Sequence, residues 1–266
     1  MSRKLETFYQ KSRSWAAKQN LHGASAFSRF VMMTFVDRLN QVSDEFIFKG
    51  GNLLWVYIKT SRPTVDVDLV TRSTKDHPTV KKLLDAVCNA QSNQIAFSVR
   101  EFKPMETNGL KAAAVVIGFR TSEGQENSFD LDIVYAIPTI STRISSTLDD
   151  GHDIAAVTME NIIVDKIDAC HRFGSGNTRM KDFDDLWRIS KSDSGKIDWP
   201  TLKKTLEVRG VMAQLEPSWL SDNMSQIWAN YLRRHKGLPA NLKQLMDEVN
   251  LWLNHGFQKI VTIEIN

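Results

Sequence analysis

The chain has 266 residues, with 34 Lys+Arg against 31 Asp+Glu, a formal charge of +3, and apolar and charged fractions of 42% and 24%. These are the proportions of a folded globular protein, and they exclude a disordered chain, a collagen-like repeat and a coiled-coil rod. So small a positive excess also excludes capture of nucleic acid by bulk charge, which leaves any such contact to a local patch.

At roughly 150 residues per domain, the length permits one large domain or two small ones. The opening Met-Ser-Arg-Lys-Leu-Glu-Thr lacks the apolar core of a signal peptide. The longest apolar runs, such as Ala112 to Phe119, are too short to span a bilayer. Two cysteines, Cys88 and Cys170, cannot build a disulfide framework or a multi-cysteine zinc site, and their apolar neighbours predict buried free thiols. A reducing cytoplasm without membrane attachment is the expected setting.

In chain order, Phe30, Val31, Phe35, Val36, Leu39 and Val42 follow helical spacing and predict an amphipathic helix over 28–42. A short strand over 45–49 leads into Gly50-Gly51, and the apolar stretch 52–59 reads as helical. After the Arg62-Pro63 turn, 65–70 alternates, with Val65, Val67 and Leu69 on one face and Asp66 and Asp68 on the other. Asp76 and Pro78 mark a helix start. Three strands follow, over 95–102, 111–120 and 128–135, and the last places Asp130 and Asp132 on one face.

From Thr158 onward helices dominate. Thr158 caps one running to Phe173, a second begins near Lys181, and Asp198-Trp199-Pro200, Pro217-Ser218-Trp219 and Pro239 each open another, the last ending near His255. The β-branched tail 259–265 reads as an edge strand. The polar, Gly151-containing segment 145–153 is the natural boundary. The fold class is therefore α+β, with a mixed sheet and helices over 1–150 and a helical half over 151–266 that closes a shared cleft.

Three features carry chemistry. Asp66 and Asp68, two apart on a strand, project together and can share one or two divalent cations. An Asp-x-Asp on an exposed strand is often only a solvated face, but here Asp130 and Asp132 repeat the arrangement. Like charges gathered in this way repel unless a cation neutralises them. Two-metal phosphoryl transfer needs such a cluster. Alternation leaves Asp130 and Asp132 equivalent, and Asp132 is favoured as the one closer to the strand end.

The second feature is Lys49-Gly50-Gly51-Asn52, a glycine turn between strand and helix where backbone N–H groups can approach a phosphate. A glycine pair by itself is simply a tight turn, and this is no Walker loop. The third lies in the helical half, where Lys166 sits in an apolar helix and Asp182 and Asp185 share a face of the next one. Taken alone, Lys181 and Asp182 read as ordinary helix-start charges.

Together, "FIFKGGNLLW", "RPTVDVDLV", "FDLDIVY", "ENIIVDKIDACHR" and "RMKDFDDLW" resemble, in order and placement, the AbiEii/AbiGii-type nucleotidyltransferase toxins of the DNA polymerase β-like superfamily. The resemblance runs from about Ser28 to about Trp187. It implies that Gly50, Gly51 and Asn52 receive the triphosphate of a nucleoside triphosphate, that Asp66, Asp68 and Asp132 hold Mg2+ or Mn2+, and that Lys166 contacts phosphates. It implies that one of Asp182 and Asp185 is essential, with Arg179 and Lys181 beside them, and it matches Arg62 and Thr64 to the run before the metal pair. RNA, above all tRNA, is the implied acceptor, and a bacterial antitoxin the implied partner. Asn52 stands where Ser or Thr is commoner, Asp165 where Glu is usual, and Asp184 where an aromatic is customary. Two rival functions are a glycosyltransferase using Asp-x-Asp to hold a nucleotide-sugar, and a catalytically silent nucleotide- or RNA-binding scaffold.

Overall fold

The computed structural model describes residues 6–59, 64–74, 76–90, 92–107, 109–192 and 197–263. The expected turn at Arg62-Pro63 lies outside them. The chain divides into two compact units, Met1–Val56 with Pro63–Val157, and Tyr57–Arg62 with Thr158–Asn266. The architecture is α+β.

The first unit is built on seven strands, β1 (Phe46–Lys49), β2 (Asp66–Thr71), β3 (Ile95–Thr107), β4 (Leu110–Thr121), β5 (Glu126–Val134), β6 (Ser141–Ile144) and β7 (Ile154–Val157), in the spatial order β3-β4-β5-β2-β1-β7-β6. β2 runs parallel to β5 and antiparallel to β1, so the sheet is mixed. Its helices are α1 (Phe8–Lys18), α2 (Ala24–Val42), α4 (His77–Asn89) and most of α3 (Gly50–Ile58). The alternation read along the sequence is physical: Val67, Leu69, Phe129, Leu131 and Ile133 are buried on one sheet face. Against that face stand the apolar stripes of α2 and α4, with the Phe35 ring 5.1 Å from Phe97 and 5.4 Å from Phe129. The acids of β2 and β5 leave from the opposite face.

The second unit holds α5 (Met159–Phe173), α6 (Met180–Lys191), α7 (Trp199–Arg209), α8 (Asp222–Leu232) and α9 (Leu242–Ile263). Thr158 and Asp198 cap as expected, each accepting a hydrogen bond from the backbone N–H three residues on. Among the described residues, no helix is long and apolar enough to cross a membrane.

Several local expectations are corrected. Pro217-Ser218-Trp219 forms only a short 3-10 turn, and α8 starts at Asp222 behind a Ser221 cap. Among the described residues the expected tail strand does not form, because α9 continues as helix to Ile263. Leu242, Leu245, Met246, Val249, Leu253 and Ile260 are all buried at helical spacing. That burial outweighs the few tenths of a kcal/mol per residue that β-branched side chains cost a helix. Helix α1, with its Thr7/Gln10 capping box, and strands β6 and β7 were not foreseen from pattern. Cys170 is buried as expected, whereas Cys88 is only half-buried, its thiol pushed up to about 11 by desolvation and then by Asp85.

Gly256 lies inside α9 with the Trp199 ring of α7 pressed on its Cα, so that an added Cβ would overlap the ring. Gly→Ala inside a helix ordinarily stabilises by up to about 1 kcal/mol. Here G256A is expected to destabilise by about 1–3 kcal/mol through overpacking, measured as a lowered urea midpoint at unchanged m-value.

Candidate active site

The parallel register of β2 and β5 sets Asp66 opposite Asp130 and Asp68 opposite Asp132. With strands about 4.8 Å apart and same-face neighbours about 6.6 Å apart along each strand, four carboxylates form a square. Asp66 and Asp68 are half-buried, and Asp130 and Asp132 are exposed. The square extends sideways through paired residues that share its face. One row runs Lys103, Ala114, Asp132, Asp68, Lys49, and the next runs Glu101, Val116, Asp130, Asp66. A shallow groove of about 360 Å3 opens there, bounded by Asp66, Glu101, Lys103, Ala114, Asp130 and Asp132.

Gly50 follows Lys49 at the end of β1 and begins α3. Its φ is +78°, and a Cβ there would fall 2.7 Å from the Cβ of Asp68 and closer still to its carboxyl group. Only glycine accommodates both the backbone angle and this approach. The turn that presents the α3 N-terminus is therefore seated directly on the Asp68 side chain.

Asn52 follows the glycines within the first turn of α3. Its side chain is 1% exposed and held at both ends. The Arg29 Nε donates to its Oδ1 at 3.1 Å, and its Nδ2 donates to the Asp66 carbonyl at 2.6 Å. Arg29, itself buried, lies 4.6 Å over the Trp55 ring. Asn52 thus braces the backbone of the Asp-x-Asp strand. Sequence reading passed over Arg29, although a cation on the apolar face of α2 was a visible signal. Thr64 has a buried hydroxyl with no hydrogen-bond partner, and Arg62 lies outside the described residues.

The donor type and register suit a hard divalent cation such as Mg2+. The side chains are not drawn together, however: among the described residues, no group of three His, Cys, Asp or Glu is arranged to hold a metal ion.

In the helical unit, Lys166 of α5 is caged by α6. Its Nζ lies 2.9 Å from Asp182 Oδ1 and 2.7 Å from Asp185 Oδ2, and both acids are buried. Arg179 Nε reaches the other Asp182 oxygen at 2.9 Å, while its guanidinium lies 5.7 Å over the Phe173 ring. Burial alone would push the Lys166 ammonium down, but Asp185 and Asp182 more than offset it and hold it above the usual lysine value. Burial likewise works to raise the Asp182 carboxyl, yet Lys166 and Arg179 keep it below the ordinary range.

The neighbouring acids face elsewhere. Asp184 accepts from Arg188 at 2.5 Å and from the Tyr231 hydroxyl at 2.8 Å, and Asp165 pairs with Arg209 of α7. Lys181 is exposed, without an ion pair among the described residues, and does not join the cage.

Removing one partner of a buried ion pair strands the others. Lys166→Met is expected to lower unfolding stability by about 3–5 kcal/mol at pH 7, read by urea denaturation. The depressed Asp182 contributes stability above its unfolded value near about 4 and loses it as pH falls through its folded value. Acid unfolding should therefore steepen below about pH 4, and Asp182→Asn should flatten that limb.

Comparison with known proteins bears on the family and the fold. A family model described as "Nucleotidyl transferase AbiEii toxin, Type IV TA system" matches residues 35–252. Two solved Helicobacter pylori structures share the fold at 16% identity. One, named as a candidate nucleotidyltransferase, has a TM-score of 0.59 and matches over 91% of this chain and 99% of its own. The other, JHP933, has a TM-score of 0.58 over 92% and 96%. No curated protein matches the sequence. The chain belongs to the AbiEii nucleotidyltransferase toxin family of type IV toxin–antitoxin systems.

Proposed function

We propose that the protein is a Mg2+- or Mn2+-dependent nucleotidyltransferase that moves a nucleoside monophosphate from a nucleoside triphosphate to a hydroxyl of RNA, tRNA foremost. In a bacterial cytoplasm it would act as the toxin of a pair with a cognate antitoxin. The observation that carries this reading is the seat of Gly50 on Asp68, which couples a helix N-terminus to a square of four carboxylates.

The backbone N–H groups at Gly50 and Gly51 bind the triphosphate. Asp66, Asp68 and Asp132 are the residues to hold divalent ions, which when bound neutralise the phosphates and favour attack by the acceptor oxygen. The acceptor oxygen bonds to the α-phosphorus as the bridging bond to the β-phosphate breaks. Pyrophosphate leaves, and the hydroxyl proton passes to a carboxylate of this face, Asp132 in our assignment. Asn52 acts through the Asp66 backbone. In the helical unit, Lys166 is the residue that the family resemblance assigns to the phosphates, with Asp182 and Asp185 fixing its ammonium and Arg179 and Lys181 nearby in sequence.

The two rivals fare less well. A nucleotide-sugar glycosyltransferase has no need of a glycine turn seated on Asp68. A silent scaffold would draw its support from the departures at Asn52 and Asp184, and both side chains have local partners in the fold.

Purified protein is incubated with Mg2+, total tRNA and each α-labelled nucleoside triphosphate in turn. The native protein should label RNA and EDTA should abolish labelling. Asp66→Asn, Asp68→Asn and Gly50→Ala should each reduce it by about 10²-fold or more. Nucleotide binding without transfer would support the scaffold, and binding confined to nucleotide-sugars the glycosyltransferase.

A further inference from the structure

Lys103 lies on β3, four strands from Gly50 along the row Lys103, Ala114, Asp132, Asp68, Lys49. It is exposed, borders the groove beside the acids, and has no ion pair among the described residues. Between it and Asp132 stands Ala114, whose single methyl leaves the floor open. One step along β3, where the register shifts between Val99 and Glu101, the Arg100 side chain crosses Gly118 so closely that a Cβ there would overlap it. Arg100 thus lies on the acid face, in alternation with Ser98, and the bulge lets Glu101 and Lys103 share that face as well.

The transfer reading fixes a direction on this sheet. In an in-line displacement the attacking and leaving oxygens lie on opposite sides of the phosphorus. With the triphosphate received at Gly50, at the β1 end, the leaving pyrophosphate lies toward β1. The acceptor hydroxyl therefore comes from the β4–β3 side, over Ala114. A polynucleotide entering there meets carboxylates at Asp130, Asp132 and Glu101, which repel its phosphates. Lys103 and Arg100 are the cations placed to offset that repulsion.

We propose that Lys103, assisted by Arg100, binds the phosphate backbone of the polynucleotide acceptor and guides its hydroxyl over Ala114 to the acids. This rests on the transferase reading above. The competing role for Lys103 is that of a charged guard on an edge strand, which discourages pairing with another copy.

The test uses the full chain as wild type and as K103Q, K103E, K103R and R100Q. Binding of fluorescent bulk tRNA is measured by anisotropy across a KCl series. Nucleoside triphosphate affinity and KM for tRNA are measured separately. K103Q and K103E are expected to weaken tRNA binding about tenfold, the scale of one charge-assisted contact. They should also reduce the salt slope by about one and raise KM for tRNA, while leaving triphosphate affinity unchanged. K103R should restore all three, and R100Q should show the same pattern to a smaller extent.

Unchanged tRNA affinity and slope in K103E would overturn the proposal, and self-association of K103E alone would identify the edge-guard role. A wild type that transfers normally beside an unaffected K103E refutes the contact and keeps the transferase. A wild type that transfers nothing, beside a reduced slope in K103E, refutes the transferase and keeps the phosphate contact.

Discussion

Everything on the working face of the sheet depends on the in-register parallel pairing of β2 with β5. Two strands with Asp-x-Asp patterns would produce two unrelated solvated faces if either slipped by one residue, because a slip of one reverses every side chain. The register is held from the other side. Val67 pairs with Leu131 and Leu69 with Ile133, and all four are buried beneath α2 and α4. The hydrophobic effect on one face thereby sets the positions of four charges on the other. The same pairing extends through β4 to β3 and through β1 to the glycine turn, so that the turn, the carboxylates and Lys103 fall along one row of the sheet.

A second constraint operates in the helical unit. Lys166, Asp182 and Asp185 are charged and largely removed from water, which is costly for each alone. The cage offsets this by geometry: two acids three apart on α6 meet one ammonium from α5, and Arg179 takes the remaining Asp182 oxygen. Such a cluster fixes the ammonium in one place. It also makes Lys166 a structural residue, whose ammonium holds two buried carboxylates together.

The braced Asn52 illustrates how a motif position can change its role while the fold keeps its purpose. In place of a hydroxyl, this chain has an amide long enough to reach the Asp66 carbonyl, and the free end of that amide is met by Arg29. Burying a guanidinium needs compensation, and the Trp55 face together with the Asn52 oxygen provides some of it. Asp184 is a similar case, since Arg188 and Tyr231 give it a packing role separate from the two acids that hold Lys166.

The sequence by itself determined the local elements that periodicity and capping dictate: α2 from its apolar stripe, β2 and β5 from alternation, and α5 and α7 from Thr158 and Asp198. It also determined the residue types of the site, because glycine pairs, Asp-x-Asp strands and a lysine in an apolar helix are all visible in one dimension. What only the tertiary structure decided was which of these residues meet. Alternation could not choose between Asp130 and Asp132, and the register shows that they stand opposite Asp66 and Asp68 respectively. Helical spacing could not separate Asp184 from its neighbours, nor could β-branching foresee that α9 would remain helical through Ile263. Strand order is a long-range property, and the burial that overrides local propensity exists only once distant segments have packed. Lys103 and Arg100 were therefore silent in the sequence, since nothing local reveals that β3 lies two strands from Asp132.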